Sequence, residues 1–355
     1  MRVRALALAV PMAVGVLLAG CAGGGDTAPT SSSATTTPPT LGPSVPAATA
    51  VAAAVPTDQL ATASGSFGEK PTLTFPDTDP PPSLQRVVLS EGTGPVTQSG
   101  DWLITNYLGQ VWGGDVFDNS YDRGSTSAFQ IGVGKVVPGW DVGLVGVPVG
   151  SRVMLSLPPA DGYGSAGNSS AGIKGTDTLV FVVDIVQAVG KDAAGQADAE
   201  VQPAPTNSPQ VSGALGGPAT VTVPAGTPEP TTPTVTVLAK GTGAPIQLGQ
   251  VLVQYSAVTW TGEDAGSTWT TDAAAGSGPM ELPVATGGPF EGLAGVPLGS
   301  RVLVQIPSQS DSSTGSTQPS IAAVVDVLVQ TTVTPATTSG SASPSAAPSS
   351  AAPTS

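Results

Sequence analysis

Apolar and β-branched residues gather in short runs bounded by glycine or proline along the middle of the chain. Trp102 to Leu108, Arg152 to Leu157 and Thr178 to Val186 are such runs, and their composition and length predict strands. A single short helix is predicted after Pro138, over Trp140 to Val145, because proline suits the first turn of a helix. Val251 to Tyr255 predicts a further strand. At the amino terminus, Ala5 to Leu18 is apolar apart from Pro11 and Gly15 and follows the basic Arg2 and Arg4. Three other stretches hold Thr, Ser, Ala, Gly and Pro with few large apolar side chains. They predict a disordered tether over 21–66, a linker over 190–233 and a disordered tail over 331–355.

Two segments repeat each other. Gly143-Leu144-Val145-Gly146-Val147-Pro148-Val149-Gly150-Ser151-Arg152-Val153 recurs 149 positions later as Gly292-Leu293-Ala294-Gly295-Val296-Pro297-Leu298-Gly299-Ser300-Arg301-Val302. Gly92-Thr93-Gly94 recurs at the same offset as Gly241-Thr242-Gly243, and Val182-Val183-Asp184 returns as Val324-Val325-Asp326 after a small deletion. A solenoid repeats every 20–50 residues or so, so this is a duplicated domain. The predicted organisation is a domain over 67–189 and a second over 234–330. Each is α+β, a sheet with one short helix.

Composition narrows the chemistry. The 355 residues include 46 Gly, 36 Pro and only 4% aromatics, too few for one packed core throughout. The net charge is −14 with no basic cluster, which argues against nucleic acid as a partner. The chain has no His, and its only Cys is Cys21. Ser-His-Asp and Cys-His catalysis are therefore excluded, as are the usual N/S zinc site and any disulfide within the chain. No cofactor is expected. Gly132-Val133-Gly134-Lys135 is not a phosphate loop, because Val136 follows where Ser or Thr is needed. Asn168-Ser169-Ser170 fits a glycosylation pattern that short sequences produce by chance.

The apolar amino-terminal run meets Leu18-Ala19-Gly20-Cys21, which resembles the lipobox of bacterial lipoproteins. That resemblance implies a signal peptide over 1–20, cleavage before Cys21, and a diacylglycerol on its thiol. The run is short for a transmembrane helix, and two or more acyl chains suffice for stable anchoring. The implied location is the extracytoplasmic face of the cell membrane.

Asn106-Tyr107-Leu108-Gly109, Val116-Phe117-Asp118-Asn119-Ser120, Tyr121-Asp122-Arg123-Gly124, Val136-Val137-Pro138-Gly139-Trp140, Pro158-Pro159-Ala160-Asp161-Gly162-Tyr163-Gly164 and Thr178-Leu179-Val180-Phe181 together resemble an FKBP domain. The resemblance covers about residues 84–188. It implies a half-open antiparallel sheet wrapped around one short helix, an apolar pocket between them, and peptidyl-prolyl cis-trans isomerase activity on Pro-containing exported polypeptides. By motif position Trp140 is the pocket floor and Tyr107, Phe117 and Phe181 are walls. Tyr163 and the Val137 N–H bind substrate carbonyls, Asp118 lies by the twisting amide, and Val136 and Ile173 complete the lining. Phe129 reads as ordinary core. Ser127, Asn168 and Lys174-Gly175 depart from the family pattern at the pocket rim.

The chemistry agrees with the residue types. Prolyl isomerisation breaks no covalent bond, and its barrier of about 20 kcal/mol is lost amide resonance. A dry slot with rigid aromatic walls serves that reaction without nucleophile or metal. Nine of the 15 aromatics lie between residues 86 and 186. The alternative reading is an FKBP scaffold that grips Pro-containing segments without turnover. A monomer is expected. The second copy keeps Tyr255 but aligns Ala265 and Gly266 with Phe117 and Asp118, Pro289 or Phe290 with Trp140, Ser312 with Tyr163, and Ala323 with Phe181. It predicts the fold without isomerase activity.

Overall fold

The computed structural model describes residue 51 and residues 56–269, 278–310 and 316–333. Its first sheet is built from β3 (Gln85–Ser90), β4 (Trp102–Val111), β5 (Val116–Asn119), β6 (Ser127–Gln130), β7 (Arg152–Leu157) and β8 (Leu179–Val189). Two short strands precede these, β1 (Thr62–Ala63) and β2 (Leu73–Thr74), which form a separate hairpin. The sheet runs β3-β7-β8-β4-β5, all antiparallel, with β6 pairing a second stretch of β4. The helix α1 (Pro138–Gly143) starts on its proline and lies against the inner face of the sheet.

Residues 179–185 of β8 are all buried, which means that both faces of the strand are covered there. Leu179, Phe181, Val183 and Ile185 face the core that includes Trp140 and Leu144. Val180 and Val182 face the other way, onto Ala61, Leu73 and Met154. A strand covered on both sides reads as a continuous apolar run rather than an alternating one.

The amino-terminal hairpin is that outer cover, which corrects the expected extent of the tether. Residues 56–66 include the 3₁₀ turn Thr57–Gln59, the buried Leu60 and Ala61, and β1. The remaining tether, the signal peptide and Cys21 lie outside the described residues, apart from Val51.

The second half repeats the arrangement. Its strands are β9 (Glu200–Val201), β10 (Gln210–Ser212), β11 (Thr220–Thr222), β12 (Thr234–Lys240), β13 (Gly249–Thr259), β14 (Asp264–Ser267), β15 (Met280–Val284), β16 (Arg301–Ile306) and β19 (Ile321–Val333). A small ladder, β17 (Gln309–Ser310) with β18 (Thr317–Gln318), precedes β19. The order β12-β16-β19-β13-β14 matches β3-β7-β8-β4-β5, and β15 pairs β13 as β6 pairs β4.

Three expectations for this half are corrected. Residues 190–233 are not a disordered linker. β9 extends the sheet beside β12, and the β10–β11 hairpin puts Ala219 and Val221 over Leu303, Ala322 and Val324 on the outer face. Those apolar positions need a cover as much as their counterparts in β7 and β8. The short helix is replaced by a 3₁₀ turn, Glu291–Leu293. Pro289 stands at the place of Trp140, whose N–H donates to the Val137 carbonyl at 2.9 Å, and proline has no N–H to make that bond. The expected tail also begins later, since β19 runs through Val333 and residues 334–355 lie outside the described residues.

Each half buries one ion pair under its hairpin. Arg152 Nε donates to Asp184 Oδ1 at 2.6 Å, and Arg301 Nε to Asp326 Oδ1 at 2.6 Å. Nη2 of each Arg donates to the second oxygen of the same Asp, and that of Arg152 also to the Tyr121 hydroxyl at 3.3 Å. The guanidinium groups also donate to hairpin carbonyls, those of Gly65 and Glu69 in the first half and of Gly213, Ala214 and Gly217 in the second. A buried charge pair is tolerated when its other hydrogen-bonding positions are filled in this way. Between the halves lies a small apolar cluster of Ile104, Val189, Leu252 and Val329.

Candidate active site

Five aromatic side chains converge where α1 meets the sheet. Trp140, in α1, is 3% exposed. It lies edge-on to three rings: Phe129 at 4.9 Å between centroids, Phe181 at 5.2 Å and Tyr107 at 5.6 Å. Phe117 closes the group against Phe181 at 5.5 Å, and Phe129 against Tyr107 at 5.5 Å. Such edge-to-face contacts set the positive rim of one ring against the negative face of the next and add about 0.5–1.5 kcal/mol per pair beyond burial. The strands fix this arrangement. Tyr107 and Phe181 point to the inner face from β4 and β8, Phe117 comes from β5 and Phe129 from β6.

Phe129 is half-buried and packs against the core, in keeping with its reading as core, and its ring also meets those of Trp140 and Tyr107. Its alternation in β6 marks it as inward, but only the pairing of β6 with β4 brings it to Trp140. Gly109 makes room for the walls. A Cβ there would lie 2.6 Å from Phe117 and 2.8 Å from Phe181, so only glycine fits between them.

Asp118 lies at the rim. The Tyr107 hydroxyl donates to its Oδ2 and the Arg123 guanidinium to its Oδ1. Arg123 also donates to the Tyr107 hydroxyl at 3.0 Å and lies 5.5 Å over that ring. Burial, reinforced by the hydrogen bond and charge of Asp118, pushes the Tyr107 phenol up, so it remains a neutral donor. The carboxylate side chain is 21% exposed and is oriented by two donors.

The other predicted residues surround the same core. Val137 is the N-cap of α1, with its carbonyl accepting from the Trp140 and Asp141 N–H groups. Val136 and Tyr163 are half-buried against the cluster, and Ile173 is buried in it. Burial pushes the Tyr163 phenol up, opposed by a hydrogen bond with the Asn168 side chain.

Strand pairing fixes which residues of the second half occupy these places. Tyr107 pairs with Val183 and Tyr255 with Val325, each one position before the buried Asp of its half. Gly109 pairs with Asp118 and Phe181, whereas Ala257 pairs with Gly266 and Ala323. Ala265 then stands for Phe117. Ser312 lies outside the described residues.

Comparison with known proteins agrees with this geometry. Residues 94–186 match the family model of the FKBP-type peptidyl-prolyl cis-trans isomerases. An FK506-binding protein of Streptomyces anulatus is 40% identical over 119 residues, spanning 33% of this chain and 96% of the relative. FK506-binding protein 2 of Dictyostelium discoideum is 44% identical over 90 residues, spanning 25% of this chain and 67% of its own. The crystal structure of FkpA from Escherichia coli is similar over 30% of this chain and 49% of that one, at 35% identity and a TM-score of 0.28. With its aromatic cluster, rim carboxylate and matched residues, the chain belongs to the FKBP-type peptidyl-prolyl cis-trans isomerases.

Proposed function

We propose that the first half isomerises Xaa-Pro bonds in exported polypeptides at the outer face of the cytoplasmic membrane, where a diacylglycerol on Cys21 holds the protein as a monomer. The observation that carries the catalytic part is the ring cluster centred on Trp140 with Asp118 at its rim. A proline ring seats among Trp140, Tyr107, Phe117 and Phe181, lined further by Val136 and Ile173. The Tyr163 hydroxyl and the Val137 N–H receive substrate carbonyls on either side of the bond. As the amide twists, its nitrogen gains electron density and its dipole changes, and the oriented Asp118 carboxylate stabilises the altered distribution in a water-poor site. No proton or electron pair leaves the substrate, so no base or nucleophile is required. The second half has Ala265, Gly266 and Ala323 in place of two walls and the carboxylate, so its described residues form no such slot, and it does not turn over.

The location rests on the apolar run over 5–18 and on Leu18-Ala19-Gly20-Cys21. Cys21→Ser tests it. The variant is expected to remain uncleaved or be shed, and to lose partitioning into detergent. Normal processing with membrane retention would contradict the anchor. A protease-coupled assay of the full chain on a Xaa-Pro tetrapeptide tests the catalytic roles.

A further inference from the structure

The amino-terminal hairpin covers the outer face of the sheet, and it also grips the loop between β5 and β6. That loop, residues 120–126, carries Arg123, the partner of Asp118. Thr126 Oγ1 at its end donates to the Thr331 carbonyl at 3.2 Å, and two further residues tie it to the hairpin side. Lys70, at the end of the hairpin turn, donates to both carboxylate oxygens of Asp122 at 2.7 Å. The Tyr121 hydroxyl donates to Asp184 Oδ2 at 2.9 Å, the same oxygen that accepts from the Gly68 N–H at 2.7 Å. Asp184 is fully buried and held by Arg152, whose guanidinium in turn holds the Gly65 and Glu69 carbonyls. Asp122 is fixed again within the loop, where Asn119 Nδ2 donates to it at 2.9 Å and its N–H returns to Asn119 Oδ1 at 2.8 Å. Asn119 follows Asp118 directly. Hairpin, ion pair and catalytic loop thus form one continuous polar network, and the hairpin lies outside the matched residues 94–186.

The second half supplies an internal control. It keeps the parts that build the fold: the hairpin, the Arg301–Asp326 pair and the backbone carbonyls they hold. It also keeps the loop anchor, since the Tyr107 N–H donates to Ser120 Oγ at 2.9 Å and the Tyr255 N–H to Thr268 Oγ1 at 2.8 Å. It lacks the parts that reach into the loop. By that register Trp269 stands in the place of Tyr121, with no hydroxyl, and Pro218 in the place of Lys70. Among the described residues, these hairpin-to-loop contacts occur in the half that has the aromatic slot and its carboxylate.

We infer that Tyr121 and Lys70 are positioning residues for isomerisation: through them the hairpin holds the 120–126 loop so that Arg123 and Asp118 keep their orientation at the slot. Neither touches substrate. Both act through Asp122 or Asp184 on the loop that carries Arg123.

The test uses the full chain with Tyr121→Phe, Lys70→Met, and the charge exchange Lys70→Glu with Asp122→Lys. Tyr121→Phe keeps the ring and removes only the hydroxyl, and Lys70→Met lies at an exposed site, so both are expected to fold. On a Xaa-Pro tetrapeptide, kcat is expected to fall about fivefold for Tyr121→Phe and two- to threefold for Lys70→Met. KM and the midpoint of thermal unfolding are expected to stay near wild type. The charge exchange should recover at least half of the rate lost in Lys70→Met, a recovery that an unspecific structural role does not give. Rates within the error of wild type for both single variants would overturn the inference. So would losses that track the unfolded fraction and are not recovered by the exchange.

Discussion

Gly109 and Ala257 occupy the same position in the two sheets, and the extra methyl of Ala257 tracks the loss of two aromatic walls. Gly109 pairs with Phe181, and a Cβ on it would lie 2.6 Å from the Phe117 ring. Ala257 pairs with Ala323, with Ala265 in place of Phe117, and it is buried without conflict. The second half therefore has a repacked core with small side chains where the slot would be. An apolar slot needs walls that project from the backbone, and alanine supplies none.

Gly109→Ala should consequently damage the first half. The added methyl must displace Phe117 or Phe181, an overpacking that costs about 1–3 kcal/mol. The expected result is a folded protein with a lower unfolding midpoint and at least tenfold slower isomerisation. Steady-state kinetics beside a thermal melt checks both.

Phe181→Tyr places a hydroxyl at the edge of the slot, and Asp118→Val removes the rim carboxylate. Each should lower kcat/KM at least tenfold, about 1.4 kcal/mol of transition-state stabilisation. Circular dichroism of each variant should remain native, because Asp118 is partly exposed and Phe181 gains one atom.

The buried ion pairs give a stability prediction. Arg152 is 2% exposed and Asp184 fully buried. Asp184→Ala leaves a buried guanidinium without its counter-charge and should cost about 3–5 kcal/mol, measured by urea unfolding. Asp326→Ala should do the same in the second half, where Arg301 loses the equivalent partner.

Glu281 carries a pH dependence. It lies on β15 with Thr331 Oγ1 donating to its Oε1 at 2.6 Å, and burial raises its carboxyl above the ordinary glutamate range, an effect the hydrogen bond opposes. Folding thus favours its protonated form. Stability is unpenalised at low pH, where both states are protonated, and falls as pH rises from the ordinary range through the raised value. Glu281→Gln should match wild type below about pH 4 and be the more stable protein at neutral pH. Urea unfolding at the two pH values checks the sign.

Local signals make much of the first half legible. The runs bounded by Gly and Pro correspond to β4, β7 and β8, and Pro138 marks the start of α1. The hairpins escape such a reading, because their Gly, Pro, Ser and Thr content looks like a tether when only composition is weighed. A pattern is nevertheless present: Ser64-Gly65 and Thr72-Leu73-Thr74-Phe75-Pro76 recur at an offset of 148 as Ser212-Gly213 and Thr220-Val221-Thr222-Val223-Pro224. Both are buried by residues of β7–β8 and β16–β19 far along the chain, a relation that local composition does not carry. The ring partners of Phe129 escape for a similar reason, since they are set by how β6 pairs across β4.

The central claim is that one slot, around Trp140 and Asp118, performs all of the isomerisation. Its most direct test is the catalysed rate of the full chain carrying Asp118→Val together with Phe181→Tyr, with the second half untouched. The account predicts a rate on a Xaa-Pro tetrapeptide that equals the uncatalysed one while the protein stays folded. Residual catalysis comparable to wild type would contradict it and move the activity to the second half.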